Sequence, residues 1–168
     1  RRKLAQQKHT HYVAKRGKRT TKRKEQIRKK FIEQVKKYIG TPYARKYHEK
    51  GTPEYNAPIF LDCCALIRRA VNDLADDFGF LLGRWNQNYQ LSTLPDPCTF
   101  EELKPGDLIF YEATYYNPEK AKNQKLNIVH VEMFYPGKTG QGTIGSRWQK
   151  GKVQEFDSYK FVSKNYRS

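Results

Sequence analysis

The stretch IFLDCCALIRRAV (residues 59–71) begins with an acidic residue and two adjacent cysteines, and continues with helical spacing of apolar residues. Asp62 is a suitable N-cap for a helix that begins at Cys63 and ends at Gly79. A helix turns by about 100° per residue, which places Cys63 in the middle of the apolar face and Cys64 at its margin. We therefore expect whatever packs on this helix to contact Cys63.

The Cys63 thiol has two interpretations. A thiol in the first turn of a helix is close to the positive end of the helix dipole, which favours thiolate and lowers the pKa. Cysteine is also among the most buried residue types, so Cys63 is either a nucleophile or a small apolar core residue. A nucleophile needs a base, usually histidine. His9 and His11 lie in a basic segment and His48 in a polar loop, which leaves His130, in a predicted strand, as the candidate base.

Basic charge is concentrated at the start of the chain. Residues 1–38 hold 16 of the 33 Lys and Arg and only 2 of the 17 Asp and Glu, so nearly all of the net charge of +16 lies there. Residues 1–21 lack hydrophobic periodicity, which predicts an extended or disordered basic arm. Over 22–39, apolar residues recur at helical spacing opposite lysine and arginine, which predicts an amphipathic basic helix. This helix leads into a domain that we place at 22–168.

A basic arm suits an acidic partner, because lysine and arginine release counterions from a polyanion. We expect residues 1–38 to bind an acidic polymer or protein surface, of nucleic-acid or tubulin-like kind. The alternative is a solvated or nuclear-localising tail. The candidate contact residues are Lys15, Arg16, Lys18, Arg19, Lys22, Arg23 and Lys24. No apolar run approaches the roughly 20 residues of a membrane-spanning helix, so no membrane partner is expected.

The cysteine pattern indicates a reducing compartment. Cys63, Cys64 and Cys98 are odd in number and two are adjacent, which makes a poor disulfide framework. We therefore expect an intracellular protein, in the cytoplasm or in a cytoskeletal or nuclear setting. No metal or cofactor is expected, because there is no CxxC motif or ligand spacing for zinc. The stretch GKTGQG (137–142) also lacks the phosphate-loop pattern and is predicted to be a hairpin turn.

The order of the predicted elements indicates the fold class. Helices come first and strands follow, joined by short Gly-containing turns, which favours an α+β domain with an antiparallel sheet. Between them, GRWNQNYQ (83–90) is predicted to be a loop. Strands are predicted near 107–113, 127–135, 143–149 and 152–156.

Four motifs occur in a fixed order: GTPY (40–43), DCCAL (62–66), KPGDLIFY (104–111) and HVEMFY (130–135). In these motifs the chain from about Gly40 resembles the NlpC-type, papain-like cysteine peptidases, which cut cell-wall peptides. The resemblance implies N-terminal helices packed on a C-terminal antiparallel sheet. It also implies Cys63 as nucleophile, His130 as base, Tyr43 in the lining of the site and Asp62 in contact with substrate.

The chain departs from the family pattern beside both candidate catalytic residues. Cys64 stands where the family has serine after the nucleophile. Glu132 stands where glycine is common, on the same strand face as His130, and either holds the imidazolium or fills the substrate cleft. The polar residue that usually orients the base is expected on the next strand, where Gly145 falls with Ser146 beside it.

Two functions are consistent with this sequence. The first is a thiol peptidase or amidase that uses a Cys63–His130 dyad on an amide substrate, for instance a peptide. The second is a catalytically degenerate scaffold of the same fold. Its basic arm would tether it to an acidic assembly, either a microtubule or axoneme, or nucleic acid or a ribonucleoprotein. The intact dyad favours the first function, and Glu132, Gly145 and the arm favour the second.

Overall fold

A computed structural model describes part of the chain, namely residues 20–44, 50–51, 60–94, 96–121 and 123–167. His9, His11, His48 and most of the predicted arm, including Lys15, Arg16, Lys18 and Arg19, lie outside these residues. Among the helices that are described, none is long and apolar enough to cross a membrane.

The first helix, α1 (Thr21–Lys36), is the predicted amphipathic helix. It begins where the Thr20 hydroxyl accepts a hydrogen bond from the Arg23 backbone N–H at 3.2 Å, a typical N-cap. Its buried side chains, Ile27, Phe31 and Val35, recur at helical spacing and pack on the core. The helix ends at Lys36, three residues before the predicted end, because residues 37–40 form a turn.

Three cations on the basic face of α1 pair with acidic residues of the domain. Arg23 and Lys30 both pair with Asp77, at 2.7 and 3.0 Å. Arg28 pairs with Asp107 in the turn before the sheet. These side chains stay partly exposed, so this face meets solvent while its ion pairs link α1 to the domain.

The cysteine segment forms α2 (Cys63–Asp73), followed directly by the short α3 (Ala75–Phe78). Asp62 is the N-cap as predicted, and its carboxylate accepts a hydrogen bond from the Ala65 N–H at 2.8 Å. The single predicted helix is thus interrupted, although its end at Gly79 is confirmed, with a left-handed φ of 78°.

Two polar side chains of α2, those of Arg68 and Asn72, are buried. Asn72 donates to the Leu82 carbonyl at 2.9 Å and accepts from the Leu82 N–H at 2.7 Å. Arg68 donates to the Trp85 carbonyl at 3.3 Å. The segment after α3 therefore crosses this face and is held there by backbone groups.

That segment contains a helix, α4 (Gln87–Thr93), where a loop was predicted. Asn86 caps it, accepting hydrogen bonds from the N–H groups of Asn88 and Tyr89 at 3.1 and 3.4 Å. The helix is short and mostly polar, so it has no apolar periodicity by which the sequence could reveal it.

The second half of the chain forms a four-stranded antiparallel sheet in the order β1-β3-β4-β5, and a separate two-stranded pair of β2 with β6. The strands of the larger sheet are β1 (Leu108–Glu112), β3 (Ile128–Phe134), β4 (Thr143–Ser146) and β5 (Val153–Phe156). The smaller pair consists of β2 (Thr114–Tyr115) and β6 (Tyr166–Arg167). The α+β class and the antiparallel sheet are confirmed.

Three short 3₁₀ helices connect these elements: Phe100–Glu102, Pro118–Lys120 and Trp148–Lys150. The last of them explains why β4 ends at Ser146 instead of 149. The helix α2 packs across β3 and β4, and the core between them includes Leu66, Ile67, Val131, Met133 and Ile144. This packing brings the start of α2 next to the middle of β3.

Candidate active site

A cleft of about 370 Å³ opens between the start of α2 and the sheet. Cys63 and His130 both line it, although they are far apart in sequence. Four other residues singled out from the sequence also line the cleft: Tyr43, Asp62, Cys64 and Ser146. Glu132 is fully buried beneath it.

Cys63 is the first residue of α2 and is only 8% exposed. The hydrogen bond with the Cys64 side chain, burial and the negative charge of Asp62 all raise the pKa of the Cys63 thiol. A backbone hydrogen bond from Val131 acts in the opposite direction but is weaker. The lowering of the pKa expected from the helix dipole is thus opposed by the hydrogen bond with Cys64, by burial and by the charge of Asp62.

Asp62 and Cys64 are tied to the start of the helix. The Cys64 thiol donates to Asp62 Oδ1 at 3.3 Å, the same oxygen that caps α2 through Ala65. The Cys64 carbonyl accepts from Gln90 Nε2 at 2.8 Å, which links α2 to α4. This network fixes the backbone that presents Cys63.

His130 is held in the middle of β3 between two aromatic rings, Tyr111 and Phe161. The ring centroids lie 5.3 and 5.5 Å from the imidazole. Its Nε2 lies 2.8 Å from Glu132 Oε1. An ionised carboxylate only accepts hydrogen bonds, so Nε2 carries the hydrogen and Nδ1 is the nitrogen left to accept a proton.

Cys63 and His130 make no hydrogen bond with each other in the described part of the structure. In proteins without bound substrate, catalytic hydrogen bonds are often long and tighten only when substrate binds. Cys63 and His130 thus share a cleft, and the imidazole is oriented to accept a proton. In this structure the thiol is not yet hydrogen-bonded to it.

Glu132 is fully buried, and hydrogen-bond donors surround its carboxylate. Arg147 donates from Nε to Oε1 at 2.7 Å and from Nη2 to Oε2 at 3.0 Å. Thr143 donates to the same Oε2. Burial alone would raise the pKa of Glu132, but the hydrogen bonds from His130 and Arg147 lower it to about 2. The group that faces His130 is therefore a carboxylate.

Gly145 on β4 leaves the space that this carboxylate occupies. A Cβ atom at Gly145 would lie 2.7 Å from Glu132 Cγ and 2.9 Å from Cδ, which is closer than real Cβ contacts come. The polar group beside His130 is thus Glu132 on β3 itself. The neighbouring strand β4, where this group was expected, has Gly145 instead. The adjacent Ser146 does not bond the imidazole, because its hydroxyl donates to the Leu61 carbonyl at 2.7 Å.

Arg147 is a site residue that no pattern in the sequence indicated. Its guanidinium lies between the rings of Phe156 and Phe161, 3.7 and 4.0 Å from their centroids, and donates to the Ser158 carbonyl at 2.8 Å. The residues that hold it lie on β5 and in the C-terminal segment. Neither periodicity nor a motif connects them to Arg147.

Tyr166 is the second residue that the sequence did not indicate. It lies on β6 and lines the cleft together with Cys63 and His130. Burial is the main cause of its raised pKa, and the nearby Cys63 adds to it. A phenol that stays protonated is a hydrogen-bond donor next to the thiol. Among the described residues, no group of three or more His, Cys, Asp or Glu side chains could hold a metal ion.

No sequence-family model matches the chain, and no curated protein matches it. Several solved structures match the chain in fold. NlpC1 from Trichomonas vaginalis is 19% identical, with a TM-score of 0.56 over 84% of this chain and 43% of its own. NlpC2 from the same organism is 20% identical, with a TM-score of 0.52 over 82% of this chain and 45% of its own.

The peptidoglycan hydrolase RipB from Mycobacterium tuberculosis is 18% identical, with a TM-score of 0.52 over 98% of this chain and 76% of its own. The chain spans less than half the length of the two Trichomonas structures. At this level of identity the likeness concerns the fold. The chain has the α+β, papain-like fold of the NlpC/P60 proteins, as its four ordered motifs predicted.

Proposed function

We propose that the chain is a thiol peptidase or amidase with Cys63 as nucleophile, His130 as base and Glu132 as the residue that orients the base. The observation that carries this proposal is the 2.8 Å contact between His130 Nε2 and Glu132, in a cleft that Cys63 also lines. The contact leaves Nδ1 as the proton acceptor on the imidazole.

In the first half of the reaction, Cys63 Sγ attacks the carbonyl carbon of the substrate amide while its proton passes to His130 Nδ1. The C–N bond then breaks, and His130 returns the proton to the leaving amine. The product is a thioester on Cys63. In the second half, water gives a proton to His130 and attacks the thioester, the C–S bond breaks, and the proton restores the thiol.

Negative charge develops on the carbonyl oxygen during both attacks. The N–H groups of Cys63 and Cys64, in the first turn of α2, have no acceptor within the helix and are suited to stabilise that oxygen. Tyr43 lines the same region. Glu132 stabilises the imidazolium that forms on His130, and Arg147 keeps Glu132 ionised and in place.

The test is turnover by the full chain on amide substrates, with peptides and a peptidoglycan stem peptide in the first screen, because RipB is a peptidoglycan hydrolase. Wild type and Cys64→Ser should release product and form a thioester detectable by mass spectrometry. Cys63→Ala and His130→Ala should not. A thioester on Cys64, or equal turnover by Cys63→Ala, would refute the assignment.

A second candidate function is binding without catalysis, and the raised pKa of the Cys63 thiol favours it. In this alternative the chain is a scaffold held on an acidic polymer or protein surface by residues 1–38. Lys22 and Lys24 are exposed and available to such a partner, whereas Arg23 already pairs with Asp77.

Deletion of residues 1–19, which ends before the Thr20 cap of α1, tests the tether. Binding to a nucleic acid or an acidic protein should weaken steeply with salt in the full chain and lose that dependence in the deletion. Binding that is unchanged by the deletion would rule out the arm as the tether. We also propose a reducing, intracellular setting, supported by the free thiols of Cys63, Cys64 and Cys98.

A further inference from the structure

Trp148 is a large apolar side chain that lines the cleft and yet remains 54% exposed. Within the described part of the chain, its indole has no ring partner, no cation above it and no hydrogen bond. Phe161 and Tyr166 also line the cleft, but their rings pack on each other at 6.4 Å. An aromatic ring that stays open inside a cleft is typical of a binding surface.

Hydrogen bonds on both sides of Trp148 connect its 3₁₀ helix to the nucleophile. Ser146, two residues before Trp148, donates from its hydroxyl to the Leu61 carbonyl at 2.7 Å, and Leu61 is two residues before Cys63. At the other end, the carbonyl of the residue that caps the 3₁₀ helix accepts from the Tyr43 N–H at 2.8 Å. Trp148 and Cys63 are thus on connected parts of one cleft wall. A residue beside the amide at Cys63 can therefore meet the indole.

The carboxylates and the Lys and Arg cations that line the cleft balance one another. Asp62 and Glu119 are acidic, and Lys120 and Arg147 are basic. Asp62 is engaged in the cap of α2, and Arg147 is bonded to Glu132. The described lining therefore offers no net charge by which to select a charged side chain. The open indole, in contrast, favours a ligand that removes its apolar surface from water.

We propose that Trp148 is a specificity-determining residue, on which an aromatic or large aliphatic side chain of the peptide packs next to the amide that Cys63 attacks. This inference rests on the proposed function. A sugar ring also stacks on indole, but it needs polar partners for its hydroxyls. Gln149, beside Trp148, donates to the Val162 carbonyl and accepts from the Lys164 N–H, so its amide is not free for them. A peptide side chain is therefore favoured.

Binding to Cys63→Ala in the full chain tests the proposal without turnover. The probes are peptides Ala-Ala-Xaa-Ala-Ala, blocked at both ends, with Phe, Ala, Glu or Lys as the central residue, and calorimetry measures their affinity. We expect the Phe peptide to bind about tenfold more tightly than the other three, since a buried aromatic anchor contributes about this much. Equal affinity for the Phe and Ala peptides would overturn the proposal.

Variants in the Cys63→Ala background locate the binding. Trp148→Ala should weaken the Phe peptide about tenfold and the Ala peptide less than about twofold, so that the preference disappears. Trp148→Phe keeps a ring and should keep most of the preference, which provides the test if the alanine variant does not fold. The control is Tyr116→Ala, which removes a 62% exposed aromatic ring outside the described lining of the cleft. It should leave the affinities unchanged, and equal losses for both peptides in Trp148→Ala would overturn the proposal.

Tryptophan fluorescence gives a direct signal from the site. The chain has two tryptophans, and Trp85 is not among the described residues that line the cleft. With Trp85→Phe, also in the Cys63→Ala background, the emission of Trp148 should move to shorter wavelength with the Phe peptide and stay unchanged with the Glu peptide. A larger shift at lower concentration with an oligomer of N-acetylglucosamine would overturn the proposal.

The two proposals fail in different ways. If the Phe peptide binds at Trp148 but the wild type cleaves none of the peptides, the proposed function fails and the binding site stands. If the wild type cleaves the Phe and Ala peptides with the same kcat/KM and binds them equally, the role of Trp148 fails and the proposed function stands.

Discussion

Replacing Gly145 by alanine tests the arrangement of Glu132 directly. The added Cβ would lie 2.7 Å from Glu132 Cγ, whereas carbon atoms in contact are normally about 3.5–4.0 Å apart. The carboxylate must therefore shift by roughly 1 Å, although His130, Arg147 and Thr143 all bind it. A misplacement of this size at a catalytic group costs about a hundredfold in rate.

The overpacking itself should destabilise the fold by about 2 kcal/mol, which lowers Tm by about 4–8 °C in a chain of this size. Thermal unfolding measures this effect, and turnover on a cleaved peptide measures the loss of rate. A double-mutant cycle with Glu132→Ala supplies the control, because that change removes the atoms which the new methyl group would meet.

In the Glu132→Ala background, Gly145→Ala should cost well under 1 kcal/mol. If it costs as much there as in wild type, the contact between positions 132 and 145 is not the cause. The conclusion that Gly145 leaves the space for the Glu132 side chain would then be refuted.

Three further predictions concern the charges and thiols of the site. Glu132→Gln should destabilise the protein by about 3–5 kcal/mol in urea unfolding, because Arg147 is left as a buried charge without its partner; a loss below about 1 kcal/mol would contradict this. The folded-state pKa of Glu132 is about 2, against an ordinary value of 4.5, so its contribution to stability is present above pH 4.5 and lost as the pH falls towards 2. Glu132→Gln should flatten that acid limb, and an unchanged limb would exclude Glu132 as its origin. The pKa of both the Cys63 and the Cys98 thiol is raised, but Cys63 is buried and Cys98 is exposed. Cys98 should therefore be alkylated first at neutral pH, as followed by mass spectrometry; faster modification of Cys63 would show a thiolate there.

Features of the fold that rest on periodicity or on neighbouring residues could be predicted from the sequence. The Asp62 cap and the apolar stripe of α1 each depend on residues within a few positions of one another. The helix α4 was missed because it is short and polar, and the β2–β6 pair because two residues per strand carry no pattern.

At the site, the sequence indicated Cys63 and His130 but left two roles open for Glu132. The decisive information is the space above Gly145, which depends on how β3 and β4 pair. The position of Arg147 depends on rings from β5 and the C-terminal segment. Both are tertiary contacts between residues that no local pattern connects.

The carboxylate at position 132 occupies space that a side chain at position 145 would fill, and this constrains how such a site arises by mutation. A glutamate on β3 added while a side chain still occupies position 145 would place two groups in one volume. A glycine on β4 gained first would leave the base without an orienting partner. The two substitutions therefore have to accompany each other. Other chains with this arrangement can be recognised by a paired signature: a glutamate two residues after the strand histidine, and a glycine at the facing position of the next strand.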